Sequence, residues 1–172
     1  EETALGHPAM FPLELASRLI QTFTNHSDKN VLDPFAGVGS AIVAAQRLGK
    51  HGIGIELSSD FADKARLRCQ EKTLFDTSVG SATIHTANAL DLLEYVAQGS
   101  VDLVVTSPPY WDILNEKRTA DYKETRNYGE NKRDLGTIAD YQEFLETKQI
   151  YLGRQIQIRF HPKRPVGCSC LD

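Results

Sequence analysis

Apolar positions along this 172-residue chain switch repeatedly between a helical period and short buried runs, which predicts alternating helices and strands. Leu13, Ala16, Leu19, Ile20 and Phe23 share one face of a helix over about residues 13–24, with Pro12 in its first turn. A polar turn from Asn25 to Asn30 leads into a short buried strand at Val31-Leu32. Ser40 to Leu48 reads as a helix that packs Ala41, Ala44, Ala45 and Leu48 inward and stops at Gly49. A second strand covers Gly52 to Ile55 and ends at Glu56, and Ser58 or Ser59 caps a helix from about Asp60 to Lys72. Ala82 to Thr86 is a third strand, Asp91 to Ala97 a short helix, and Val101 to Thr106 a fourth strand apolar enough to be central. Ile138, Tyr141, Phe144 and Leu145 share a helical face within Ile138 to Thr147, and Gln155 to Phe160 alternates like a strand.

Strands alternating with helices at this spacing predict an α/β fold, a parallel Rossmann-like sheet covered by helices on both faces. Ligands of such sheets bind beyond the carboxyl ends of the strands. Asp33, Glu56, Asn88 and Ser107 all fall at or just past those ends, which predicts one polar rim. Trp111 to Gly136 is highly charged and rich in Asn, Tyr and Gly; it reads either as a solvated surface loop or as a segment that closes over substrate.

Composition narrows the class. Hydrophobic content of 41% and charged content of 24% suit a soluble globular domain with a substantial core. No apolar run approaches the ~20 residues that span a bilayer, so no membrane partner is expected. No signal peptide is visible, and the opening Glu1-Glu2-Thr3 suggests a fragment or a processed start. Three cysteines are too few for a disulfide framework, and Cys168-Ser169-Cys170 lacks the second ligand pair of a structural zinc site. No metal is expected, and a reducing, cytoplasmic setting is the default. The net charge of −4 runs against the basic face usual in nucleic-acid binders.

The candidate chemistry lies in two segments. The first is Asp33-Pro34-Phe35-Ala36-Gly37-Val38-Gly39-Ser40, which follows a strand and opens a helix. Gly37 and Gly39 let the backbone turn sharply and approach a ligand. Glu56 lies 19 residues after Gly37, and an acid ~20 residues on can accept from both hydroxyls of a ribose. NAD is disfavoured because Ile42 stands where the third glycine of Gly-x-Gly-x-x-Gly would hold a pyrophosphate. A nucleoside cofactor without phosphates fits better, and S-adenosylmethionine is the obvious one. Asp33 either orients the loop, receives the cationic amino-acid end of that cofactor, or merely caps the turn. Asn88 either pairs with the adenine edge or serves as a turn residue.

The second segment is Ser107-Pro108-Pro109-Tyr110, directly after the fourth strand. Its two prolines remove backbone donors and stiffen the chain, so neighbouring carbonyls point where the fold sends them. An exocyclic amino group is a poor nucleophile because its lone pair is delocalised into the ring. The Ser107 hydroxyl and the Pro108 carbonyl can accept from its two hydrogens and favour the pyramidal, nucleophilic form. Tyr110, with Trp111 as a second candidate, can stack on a base that has been flipped out of a duplex. Methylation of a cytosine ring carbon would need a cysteine beside the base, and none lies near this loop.

With these residues the chain resembles the amino-methylating DNA methyltransferases, the cytosine-N4 and adenine-N6 enzymes of restriction-modification and related systems. The resemblance covers residues 7 to about 146. His7-Pro8-Ala9-Met10-Phe11-Pro12 is similar to the family segment that lines the methionine side of the cofactor, which implies contacts from Pro8 and Phe11. Asp33 to Ser40 matches the family's Asp-Pro-Phe-x-Gly-x-Gly, which implies cofactor contacts from Asp33, Phe35, Ala36, Gly37, Gly39 and Ser40. Ile53-Gly54-Ile55-Glu56 matches its acidic second strand, and Thr106 to Tyr110 its catalytic tetrapeptide. Tyr141 to Leu145 resembles the helix that follows. Serine at the first tetrapeptide position leans towards cytosine-N4 members. The resemblance implies double-stranded DNA as partner and allows a cognate restriction endonuclease. RNA or protein methyltransferases of the same fold, and a non-catalytic cofactor-binding fragment, are the alternatives.

Nothing in Lys148 to Asp172 aligns with the family's continuation. The expected organisation is therefore a partial catalytic domain over residues 1–147 and a truncated or frameshifted tail over 148–172. Such a chain is expected to bind cofactor weakly and to methylate DNA barely or not at all.

Overall fold

The computed structural model describes residues 11–71, 80–109, 135, 138 and 140–159. Four parallel strands form the sheet: β1 (Asn30–Asp33), β2 (His51–Glu56), β3 (Ser81–Thr86) and β4 (Leu103–Val104), in the spatial order β3-β2-β1-β4. The chain builds outward from β1 to β3, then returns to the other side of β1 for β4. That reversal opens a crevice between the carboxyl ends of β1 and β4, where ligands of open parallel sheets bind. Residue pairing puts Leu32 opposite both Ile53 and Val104, so the strands end nearly level.

Side chains of a strand alternate between faces, and this sheet uses both. Val31 packs with Leu103 and Val105 beneath two helices, α1 (Leu13–Phe23) and α2 (Ser40–Arg47). Leu32 and Ile55 face the opposite side, against Leu92 of the short helix α4 (Leu92–Tyr95) and against Val96 and Val101. The predicted two-sided α/β architecture is the one observed. The helix α3 (Ser59–Gln70) is capped by Ser58, whose hydroxyl accepts from Phe61 N–H at 3.5 Å, and buries Ala62 and Ala65.

Several predicted details change. Pro12 caps α1 from outside instead of occupying its first turn, and Phe23, on the same helical face as the buried Ala16 and Ile20 but at the last position of the helix, is 65% exposed. The fourth strand is shorter than expected: Val105 still donates to Leu32 O at 2.9 Å, but regular pairing stops at Val104 where the chain turns into its prolines. Tyr141 is 53% exposed, whereas Phe144 on the same helix is buried. The expected strand at Gln155 is absent, since the final helix α5 (Tyr141–Arg159) continues through it. Two isoleucines spaced two apart are a weak signal, and extending an existing helix is easier than starting a strand. Phe160 lies outside the described residues.

Candidate functional site

The four strand ends carry the polar groups in a fixed order. Reading across the sheet, Asn88 follows β3, Glu56 ends β2, Asp33 ends β1, and Ser107 follows β4. With strands ~4.8 Å apart, this rim spans roughly 14 Å.

Glu56 fixes the glycine loop. One carboxylate oxygen accepts from Gly37 N–H at 2.7 Å and the other from Ser58 N–H at 2.8 Å. The loop is tied to β2 a second time by Ala36 N–H, which donates to Ile55 O at 2.9 Å. Gly37 and Gly39 sit at φ 52° and 80°, in the left-handed region where a side chain is strained. At Gly39 the missing side chain also matters to α3, since a Cβ there would stand 2.9 Å from Ala65 Cβ. The close approach at Gly39 is therefore made by a helix. Ser40 is buried, and its hydroxyl accepts from Arg68 at 3.3 Å, while Val38 O accepts from the same guanidinium at 2.7 Å. Arg68 is a loop-holding residue without a sequence signal of its own.

Asp33 is 4% exposed, and its Oδ1 accepts from Phe35 N–H at 3.0 Å, closing the turn after β1. Burial pushes its carboxyl from the ordinary 3.8 up to about 7, opposed by the neighbouring Thr106 hydroxyl and the Phe35 N–H and reinforced by the Glu56 charge. Thr106 Oγ1 is buried and forms no complete hydrogen bond among the described residues, so its approach to Asp33 supplies polarity without a finished bond. The ion pairs among the described residues, Arg18–Glu14 and Arg66–Asp63, lie elsewhere on the surface. A buried acid with no ion-pair partner among those residues, beside a hydroxyl short of a bond, suits a ligand that brings a cation and donors of its own.

At the far end, Asn88 is buried, and its Oδ1 accepts from Leu90 N–H at 2.8 Å and from the Tyr151 hydroxyl at 3.0 Å. The first bond makes it the cap of a 3-10 turn over Ala89–Asp91, the turn-residue role, at its position on the rim. Tyr151 was not anticipated: it lies in α5, past the point where the sequence resemblance ends. Phe35 is half-buried, with its ring centroid 5.4 Å from that of Tyr151.

At the near end, Ser107, Pro108 and Pro109 are partly exposed, as an approachable loop must be. Phe11 packs partly buried against the α1–α2 cluster that includes Val105. Pro8 and Tyr110 lie outside the described residues. Among those that are described, no group of three or more His, Cys, Asp or Glu is arranged to hold a metal. No helix of the described chain is long and apolar enough to cross a membrane.

Residues 1–67 match the DNA methylase family model. The type II methyltransferase M.ScaI of Streptomyces caespitosus is 39% identical over 77 residues, covering 44% of this chain and 24% of that protein. A tRNA (guanine(10)-N2)-dimethyltransferase of Methanocaldococcus jannaschii is 26% identical over 104 residues, covering 60% of this chain and 30% of the relative. The chain thus spans less than a third of either relative's length. The solved structure of a candidate rRNA methylase from Clostridium thermocellum shares the fold, with a TM-score of 0.55 at 13% identity over 90% of this chain and 69% of that one.

Proposed function

We propose that this chain carries the S-adenosylmethionine site and the catalytic loop of an enzyme that methylates the exocyclic amino nitrogen of a flipped-out DNA base, cytosine-N4 in preference to adenine-N6. The observation that carries the reading is the order of groups along the rim. A flat-ring acceptor (Asn88), a diol acceptor (Glu56), a buried acid (Asp33) and a hydroxyl-proline loop (Ser107) follow one another in the order purine, ribose, amino-acid end and methyl acceptor. When bound, the cofactor supplies an electrophilic methyl group on a sulfonium. Glu56 holds the ribose hydroxyls while keeping Gly37 in place. Asp33 faces the α-ammonium and is held ionised by it. Ser107 Oγ and the Pro108 carbonyl would accept from the base amino group, and Tyr110 would supply the ring that stacks on the base and orients it. Neither acceptor is basic enough to keep the proton released on methylation, which passes to solvent water at the partly exposed loop.

Residues 1–147 form the catalytic part in this reading. A net charge of −4 supplies few phosphate contacts, so this chain alone should hold double-stranded DNA weakly; a cognate restriction endonuclease is a further partner in this reading. RNA is the second reading, favoured by the tRNA-dimethyltransferase likeness, which extends further along the chain than the DNA methylase match. Transfer of a labelled methyl group to DNA, tRNA and protein in parallel, with the protein in excess over substrate, decides between them. Label on DNA recovered as N4-methylcytosine is the expected result. Label on tRNA alone would replace the DNA reading by the RNA one, and label on protein alone would refute both.

A further inference from the structure

We propose that Tyr151 occupies the purine end of the rim, so that the cofactor enters only when α5 lifts away; this rests on the cofactor reading above. Tyr151 presents to Asn88 what an adenine would, a flat ring with a hydrogen-bond donor at its edge. Its hydroxyl donates to Asn88 Oδ1 at 3.0 Å, and the Leu90 N–H takes the other acceptor direction of that oxygen. An adenine amino group reaching the same atom must displace the hydroxyl.

The ring blocks the site as well as the acceptor. Its centroid lies 5.4 Å from that of Phe35, with the planes tilted by 49°. A purine sandwiched between two rings needs them about 7 Å apart, two stacking distances of ~3.5 Å. Tyr151 is therefore a plug and not the second wall of a pocket. It is 4% exposed and clusters with Ala89, Leu135 and Phe144, with Phe35 and Leu90 packed against them. The apolar surface that would clasp a purine is thus buried against α5. The bound form has to open this contact, and apparent affinity falls by the fraction of molecules that are open.

The test is calorimetric titration with S-adenosylhomocysteine of the full chain, Tyr151→Phe and Tyr151→Ala, with hydrogen exchange of the full chain measured with and without that ligand. Tyr151→Phe should bind about fivefold more tightly, the equivalent of one net buried hydrogen bond, and Tyr151→Ala at least about tenfold. In the unaltered chain the ligand should speed amide exchange across residues 141–159. Weaker binding by Tyr151→Ala, equal binding by all three proteins, or slowed exchange in α5 would each overturn the plug while leaving the cofactor site standing. No binding by any of the three would overturn the cofactor reading, and the plug with it. Tyr151→Phe and the exchange measurement keep the test decisive if the alanine variant fails to fold.

Discussion

Replacing Asp33 by asparagine isolates the one buried acid of the rim. Asparagine keeps the oxygen that accepts from Phe35 N–H at 3.0 Å but cannot ionise. Burial raises the Asp33 pKa from 3.8 to about 7, so the folded state holds a proton that the unfolded state releases. The contribution of Asp33 to wild-type stability is then full below about pH 4, falls as pH rises through the interval to about 7, and is flat above it. A shift of about three units corresponds to roughly 4 kcal/mol over the full interval, an upper bound, of which ~2–3 kcal/mol falls between about pH 5 and pH 8. Other titrating groups are shared by both proteins and cancel in their difference. Urea unfolding of each at about pH 5 and pH 8 should show the asparagine variant gaining on the wild type by that amount at the higher pH. A difference that stays constant with pH would show Asp33 to be ionised at its ordinary pKa. The account of a buried acid awaiting a cation would then fail.

The same acid predicts how ligand affinity titrates: binding of S-adenosylmethionine should strengthen as pH rises through about 7 in the wild type and lose that dependence in Asp33→Asn, measured by calorimetry. Gly39→Ala should cost ~1–3 kcal/mol in urea unfolding, because φ is 80° and the new Cβ would stand 2.9 Å from Ala65 Cβ; a cost near zero would refute that packing. Ser107→Ala should lower single-turnover methyl transfer far more than cofactor affinity, since its hydrogen bond matters only as the nitrogen becomes nucleophilic. Tyr110→Ala should weaken capture of an extrahelical base by ~1–3 kcal/mol, read by fluorescence of a base analogue.

Much of the fold was legible because local chemistry and global architecture agree. The alanines of α2, the Gly49 stop and the serine before α3 each act within a turn of the residues they organise, and all three lie where their signals placed them. Asp33, Glu56, Asn88 and Ser107 could be assigned to one rim because strand ends are local features and the parallel sheet brings them level. Sequence separation hid the rest. The contact between Tyr151 and Asn88 spans 63 residues, and that between Arg68 and Val38 spans 30; neither leaves a periodic trace. The role of Gly39 was read only in part, since its φ follows from the turn but its neighbour, Ala65, belongs to another helix. The alternation at Gln155 to Phe160 misled because a two-residue period over so few positions cannot outweigh a helix already under way.

The central claim, that the rim holds a nucleoside through Glu56, is tested most directly by calorimetric titration of the wild type and Glu56→Ala with S-adenosylhomocysteine, both first shown to be folded by circular dichroism. The carboxylate serves Gly37 N–H, Ser58 N–H and, in this account, the ribose diol. Its removal should weaken one-to-one binding by ~1.5–3 kcal/mol, the scale of a charge-assisted hydrogen-bond pair. Equal affinity for the two proteins, or no binding to the wild type, would contradict the account.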